Sequence, residues 1–153
     1  MSINLYPVII KVNEKDFEVT FSGIPEASFK ADYFDPKGLF SENYFKKHAS
    51  LHFIELIEKG VFNNRHIPQT FRPLEPGEVY VDIGLNKALK IFLNNIRIEQ
   101  GWSKSDLARK LEIERQTIRQ YLMMSHPTKA ETLSKMVSLL GYHVGIVCTK
   151  IDP

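Results

Sequence analysis

KSDLARKLEIERQTIRQYL, residues 104–122, indicates most clearly how the second half of this chain is expected to fold. Its apolar residues recur at helical spacing on both sides of a short break, at Leu107, Ala108, Leu111, Ile113, Ile118 and Leu122. This pattern predicts two short helices joined by a tight turn, with Ala108 small where the helices cross. The turn position that usually holds glycine is Glu112, which would need a strained backbone or a slightly different turn. The segment therefore predicts a helix-turn-helix.

The second of these helices, expected over residues 114–123, carries polar side chains of the kind that bind DNA. Five of them cluster at its start and on its outer face: Arg115, Gln116, Thr117, Arg119 and Gln120. We expect Arg115, Gln116 and Gln120 to read base edges in a major groove. Thr117 and Arg119, with Lys104 on the preceding helix, should lie nearer the phosphates. The alternative is a plain helical hairpin whose polar face is only solvated.

Two further helices are expected to flank this pair. The first begins at Leu85, and its apolar face is made of Leu85, Ala88, Leu89, Phe92 and Ile96. Ser103 or Ser105 can cap the helix that follows it. The last helix is predicted from Lys129 to Leu140, with Thr128 as its N-cap. The second half is therefore predicted to be helical.

A final apolar run, Tyr142 to Thr149, predicts a strand after these helices. An edge strand at a chain end often pairs with its copy in another subunit. We therefore expect a homodimer or a higher homo-oligomer, with contacts through Val144, Ile146 and Cys148. Such a dimer would place two recognition helices about 34 Å apart on an inverted repeat of promoter DNA.

The first half has the pattern of a small antiparallel sheet. Residues 6–12 and 17–21 alternate or are rich in β-branched side chains, and they predict two strands joined by a hairpin loop. Residues 27–31 predict, with a weaker pattern, a third strand before the turn signals that follow. Glu78–Asp82 alternates well enough to be a further strand.

Between these strands, one amphipathic helix is predicted to pack on the sheet. Ser41 is its candidate N-cap, and Gly60 ends it. The fold class is therefore α+β, with an α+β domain over residues 1–83 and a helix-turn-helix domain over residues 84–153 that ends in a strand.

Composition places the chain among ordinary soluble globular proteins. Of its 153 residues, 43% are hydrophobic and 25% are charged, enough for one core or two small ones. The start MSINLYPVII lacks the pattern of a secretion signal, and no apolar run approaches the ~20 residues that span a bilayer. A single cysteine, Cys148, cannot form an intrachain disulfide. We therefore expect a cytoplasmic protein with no membrane partner.

Charge is divided unequally between the two halves. Residues 1–80 carry nine Lys and Arg against eleven Asp and Glu, a net charge of −2. Residues 81–153 carry eleven against seven, a net charge of +4. This division suggests two different partners, with nucleic acid as the natural partner of the basic half.

The residues give little support to an enzyme. The first half offers five carboxylates: Asp16, Glu18, Asp32, Asp35 and Glu42. Metal-dependent chemistry needs carboxylates that converge on one point from adjacent strand ends, and solvated surface charge explains these better. His48 and His52 have the i, i+4 spacing that can hold zinc, yet no third ligand lies near them in the sequence. We expect no catalytic site, no metal and no cofactor.

Several short segments of this chain occur in the same order as similar segments in one known family. They are YPV at 6–8, FEVTFSGIPEA at 17–27, IP at 67–68, VYVD at 79–82, DLARK at 106–110, Ile118 and HPTK at 126–129. The succession of strand, Gly-Ile-Pro turn, helix and helix-turn-helix spans nearly the whole chain. In this respect the chain resembles the HicB antitoxins of bacterial toxin–antitoxin pairs, in the subgroup with a C-terminal helix-turn-helix.

The resemblance implies an incomplete ribonuclease-H-like N-terminal domain that covers a HicA-type toxin, a small RNA-cutting protein. It also implies that the C-terminal domain binds the promoter of its own operon. An acidic first half would complement a basic toxin. One segment departs from the family: residues 28–38 read SFKADYFDPKG in place of a Thr-Gln-Gly-Asp-Thr-like segment. The alternative is a stand-alone transcriptional regulator whose first half dimerises or binds a small molecule.

Overall fold

The first half of the chain forms an antiparallel sheet. A computed structural model describes residues 3–69 and 72–145. Its strands are β1 Leu5–Val12, β2 Asp16–Phe21, β3 Phe29–Asp32 and β4 Glu78–Asp82. They are paired in the order β3-β2-β1-β4. The strands predicted over 6–12, 17–21 and 78–82 are confirmed, and the third begins two residues later than predicted.

Helix α1, Glu42–Glu58, packs on one face of this sheet. Phe45, Ala49 and Phe53 recur every four residues along the helix and are buried. The ring centroid of Phe53 lies 4.9 Å from that of Tyr6 in β1 and 5.2 Å from that of Phe21 in β2. The predicted amphipathic helix is therefore confirmed, and its aromatic contacts with the sheet form the core of the first half.

The described part of the second half is helical. Its helices are α2 Leu85–Glu99, α3 Lys104–Lys110, α4 Arg115–Leu122 and α5 Ala130–Leu139. They share a core whose most deeply buried members are Leu89, Leu93, Leu107, Ile118, Leu133 and Val137. The α+β fold class is confirmed, whereas the ribonuclease-H-like character of the first half stays a prediction.

The N-cap of α5 is not the predicted one. Thr128 was expected in that position, but the cap is Lys129, and no side-chain hydrogen bond caps the helix. The Thr128 hydroxyl is instead hydrogen-bonded to His126 Nδ1 at 2.8 Å. The helix begins one residue later than predicted, and the Thr128 hydroxyl bonds to His126 and not to the first turn.

The strand predicted from Tyr142 to Thr149 is not found over its first four residues. Residues 142–145 have no strand structure, and residues 146–149 lie outside the described part of the chain. Gly141 takes a positive φ of 89° at the end of α5. The turn brings the Tyr142 ring edge-on to Phe92 of α2, with 5.2 Å between the ring centroids. This segment therefore begins by packing on its own helices.

Helix α2 is buried on almost every side because it contacts both halves. Ala88 and Ile91 belong to the core of the sheet half, and Leu89 belongs to the helical core. Asn95 holds the backbone of Ile67 with two hydrogen bonds, of 3.0 Å from the Ile67 N–H and 2.7 Å to the Ile67 oxygen. The predicted domain division between residues 83 and 84 stays a prediction.

Lys90 joins α2 to the segment that follows α4. Its side chain is buried, and Nζ donates to the backbone oxygens of Met123 and His126 at 2.5 Å each. Burial lowers the pKa of Lys90 to about 8. Glu58 of α1 holds the same segment, since its Oε1 accepts a 2.6 Å hydrogen bond from the Ser125 N–H. The C-terminal end of α4 is therefore anchored from both halves.

Glu78, at the start of β4, is the centre of a charged network. Both oxygens of its carboxylate accept from the Arg72 guanidinium, at 2.6 and 2.7 Å. Ser22 Oγ and the Glu75 N–H donate to the same carboxylate at 2.6 and 2.7 Å. The hydrogen bonds from Arg72, then those from Ser22 and Glu75, lower the pKa of Glu78 to about 2.

Replacing Glu78 should change the acid sensitivity of the fold. Because the pKa is lower in the folded state than in the unfolded chain, the ionised carboxylate stabilises the fold at neutral pH, and this contribution disappears as the pH falls from about 5 to about 2. We expect Glu78→Gln to lower the free energy of unfolding in urea at pH 7, with a smaller deficit near pH 2.5. Glu14→Gln, exposed in the β1–β2 loop, is the control. A deficit of equal size at both pH values would contradict this assignment.

Candidate nucleic-acid interface

Helix α3 begins with a capping box. Ser103 Oγ accepts from the Asp106 N–H at 3.1 Å, and Asp106 Oδ2 accepts from the Ser103 N–H at 2.8 Å. Hydrogen bonds from Ser103 also hold the pKa of Asp106 below its usual value. Of the two caps predicted, Ser103 is confirmed. The box places Lys104 in the first turn of α3, where its side chain is exposed.

The turn between α3 and α4 takes Glu112 in the left-handed conformation, with φ of 55°. The N–H groups of Glu112 and Ile113 donate to Arg109 and Ala108 oxygens at 3.2 and 3.0 Å, which closes the end of α3. A residue with a Cβ in this conformation costs roughly 1–2 kcal/mol compared with the right-handed one. Of the two alternatives expected at this position, a strained backbone or a different turn, the structure shows the strained backbone.

The predicted apolar residues of the two helices face inward. Leu107, Ala108, Leu111 and Ile118 are buried, and Ile113 and Leu122 are half-buried against the same core. This packing fixes which side of α4 remains outside.

The polar face of α4 is turned to solvent. Arg115, Gln116, Arg119 and Gln120 are exposed, and Thr117 is half-buried. Gln116 and Gln120 lie four residues apart on one strip of the helix, and Arg115 and Arg119 lie on the neighbouring strip. Within residues 3–69 and 72–145, none of these four side chains takes part in an ion pair or a hydrogen bond. Their donors are available to a ligand.

Two of the predicted phosphate contacts also border a cavity. Lys104 and Arg119 line a cleft of about 300 Å³ between the end of α1, the loop after it, α2 and α4. We call it the α1–α4 cleft, and its polar lining is Glu58, Asn63, Asn64, Asn94, Arg97, Lys104 and Arg119. Arg115, Gln116 and Gln120 are not part of this lining. The predicted site residues are thus divided between the open face of α4 and the cleft.

The residues predicted for dimerisation are only partly described. Val144 is half-buried and packs against the helical core of its own chain. Ile146 and Cys148 lie outside the described residues. Contacts of Val144, Ile146 and Cys148 with a second subunit therefore stay a prediction.

Most of the side chains considered as metal ligands have other contacts. Asp16 forms an ion pair with Lys30 at 3.1 Å, and the His52 ring lies 4.1 Å from that of Phe29. Partial burial lowers the pKa of His52. In the described ranges, no three His, Cys, Asp or Glu side chains are grouped so that they could hold a metal ion. None of the helices in these ranges combines the length and apolar character that crossing a bilayer requires.

Sequence reasoning missed the buried polar residues of α2 beside the site. Arg97 donates to Asn94 Oδ1 at 3.0 Å, to the Trp102 oxygen at 2.9 Å and to Asn64 Oδ1 at 3.2 Å. It thereby ties the loop after α1 to the start of the helix-turn-helix. The sequence did contain a signal of this burial. Ile91 lies outside the single apolar face predicted for α2, and an apolar residue there is expected of a helix buried on two sides.

Comparisons with known proteins agree with this geometry. A family model described as helix-turn-helix matches residues 93–147, which include α3 and α4. Antitoxin HicB 2 of Photorhabdus laumondii is 28% identical over 148 residues, which cover 96% of this chain and 99% of that protein. Antitoxin HicB 1 of the same organism is 26% identical over 140 residues, covering 91% and 83%.

The similarity extends through both halves of the chain, whereas the helix-turn-helix match lies in the second half alone. These findings confirm the resemblance seen in the sequence: the chain is similar to HicB antitoxins over nearly its whole length, and its C-terminal half contains a helix-turn-helix.

Proposed function

We propose that this protein is the antitoxin of a toxin–antitoxin pair and represses its own operon by binding promoter DNA through α3 and α4. Its toxin would be a HicA-type, mRNA-cleaving protein bound by the first half. One observation carries the proposal: nearly full-length similarity to proteins named HicB antitoxins coincides with an unpaired Arg and Gln face on α4. We expect no catalytic activity of its own.

The DNA-binding part of the proposal rests on the chemistry of α4. Arg and Gln side chains form paired hydrogen bonds with guanine and adenine edges in the major groove. Gln116 and Gln120 share an exposed strip, and Arg115 lies beside them at the start of the helix. Lys104 and Arg119 suit phosphate contacts, which orient a protein on the duplex. The net charge of +4 over residues 81–153 supports the same partner.

A dimer would let this surface read an inverted repeat. Two copies of α4 about 34 Å apart would enter successive major grooves on one side of the duplex. We propose that the chain end, with Val144, Ile146 and Cys148, contributes to the contact between subunits. Val144 has a second role, because it already packs against the core of its own helices.

The toxin-binding part of the proposal concerns the segment between β3 and α1. Phe34 and Leu39 are 82% and 74% exposed, the highest values among the large apolar residues of the described first half. Asp35 orders their turn, since its two oxygens accept from the N–H groups of Leu39 and Phe40 at 2.8 Å each. Exposed apolar residues in an acidic half suit a basic partner protein. The incomplete ribonuclease-H-like fold of this half belongs to the same proposal.

Two substitutions should separate base reading from phosphate binding. We expect Gln116→Ala to relax specificity at one base pair, by roughly 1–3 kcal/mol, because a paired contact with a base edge is lost. Lys104→Ala should weaken binding to all duplexes alike and lower the slope of log K against log salt by about 1, because one phosphate contact is lost. Fluorescence anisotropy with the upstream promoter and single-base variants measures both effects.

Matched controls for these variants lie away from α4. Gln100→Ala at the end of α2 and Lys47→Ala on α1 are both exposed, and neither should alter DNA binding. If Gln116→Ala and Lys104→Ala also bind like the wild type, α4 is not the recognition helix.

Removing the exposed apolar residues should weaken the toxin complex alone. We expect the double variant Phe34→Ser, Leu39→Ser to lose at least about tenfold in affinity for the protein encoded beside it, because its apolar contacts are lost. DNA binding should be unchanged, since neither residue belongs to the helical half or lines the α1–α4 cleft. Leu139→Ser, 70% exposed on α5, is the control for the complex. Calorimetry on the purified proteins measures the affinity, and wild-type affinity in the double variant would place the toxin elsewhere.

A further inference from the structure

The α1–α4 cleft joins residues of the first half to the helix-turn-helix. Glu58 is in the last turn of α1, and Asn63 and Asn64 are in the loop after it. Lys104 of α3 and Arg119 of α4 line the same cavity. The loop is held firmly there, because Asn64 Oδ1 accepts from the buried guanidinium of Arg97 at 3.2 Å.

The charges of the lining favour an anion. Arg97, Lys104 and Arg119 give three positive charges against the one carboxylate of Glu58, a net charge of +2. The Arg97 guanidinium already donates hydrogen bonds to three acceptors within the protein. Lys104 and Arg119 have no hydrogen-bond or ion-pair partner in the part of the chain that the structure describes. Two positive side chains therefore border the cleft with their bonding capacity unused.

The position of the cleft identifies the anion. Arg119 lies one helical turn after Arg115, so the cleft continues directly from the exposed face proposed to enter the major groove. A DNA strand beside that groove presents a phosphate at every nucleotide. An asparagine amide can donate to a phosphate oxygen as Lys and Arg do, and Asn63 is exposed at this border.

We infer that the α1–α4 cleft receives a phosphate of the DNA backbone, held by Lys104, Arg119 and Asn63. This inference rests on the proposed function, and it goes beyond it in one respect: the first half is part of the DNA interface. Glu58, whose carboxylate is turned to the Ser125 N–H, would repel the same phosphate and limit affinity.

Two substitutions in the first half test this inference with effects of opposite sign. Asn63→Asp adds a negative charge at the cleft, and it should weaken binding by roughly three- to tenfold at low salt. Glu58→Gln removes a negative charge but keeps the acceptor for Ser125, and it should tighten binding by a similar factor. Anisotropy titrations with the full-length protein, on the upstream duplex and an unrelated duplex, should show both effects on both sequences. Both effects should shrink as salt is raised.

Matched controls are Asn43→Asp and Glu55→Gln, exposed residues of α1 outside the cleft lining, and neither should change affinity. Loss of folding cannot imitate the tighter binding of Glu58→Gln. If both test variants bind like the wild type while the wild type binds DNA, the inference fails and the proposed function stands. If the wild type binds neither duplex, the proposed function fails together with the inference. The variants could also leave DNA binding unchanged while inorganic phosphate raises the Tm of the wild type but not of Asn63→Asp. That result would show that the cleft binds a free anion, and it would overturn the assignment to DNA.

Discussion

Burial of α2 against both halves is the constraint on which the rest of the structure depends. A helix covered on several sides must provide partners for its own polar side chains, because an unpaired buried polar group is strongly destabilising. Lys90 donates hydrogen bonds to backbone oxygens after α4, and Asn95 donates one to the Ile67 oxygen. Arg97 donates to Asn64 and to the Trp102 oxygen just before α3. These partners lie in the loop after α1, in the segment after α4 and just before α3, so α2 positions the loop after α1 and the end of α4 together.

This arrangement explains how a short helix-turn-helix presents a defined surface. Helix α4 has only eight residues, and isolated helices of that length are unstable in water. Its position comes from Ile118 in the helical core and from Lys90 at its C-terminal end. Its polar face is thereby left to solvent, and the loop that contains Asn63 borders the cleft beside it. The first half thus shapes the surroundings of the proposed recognition helix.

Sequence periodicity was sufficient to predict the helices and strands, but it could not predict the hydrogen-bond partners of their buried polar side chains. The alternation in β4 and the spacing of Leu107, Ala108, Leu111 and Ile118 predicted what is found, because burial of one face imposes a period on the sequence. The partners of Lys90 are backbone oxygens more than thirty residues away, and the pattern of side chains in the sequence cannot predict them. The strand predicted from Tyr142 is absent over residues 142–145, where the turn at Gly141 and packing on Phe92 outweigh β-propensity.

The most direct test of this account is equilibrium unfolding in urea, followed separately in each half. The fluorescence of Trp102, the single tryptophan, reports on the helical half, and the NMR amide signals of Val8 and Val19 report on the sheet. If α2 joins the halves into one cooperative unit, both probes will show one transition with the same midpoint and slope. Two separate midpoints would show that the halves fold independently, and would contradict the central role given to α2.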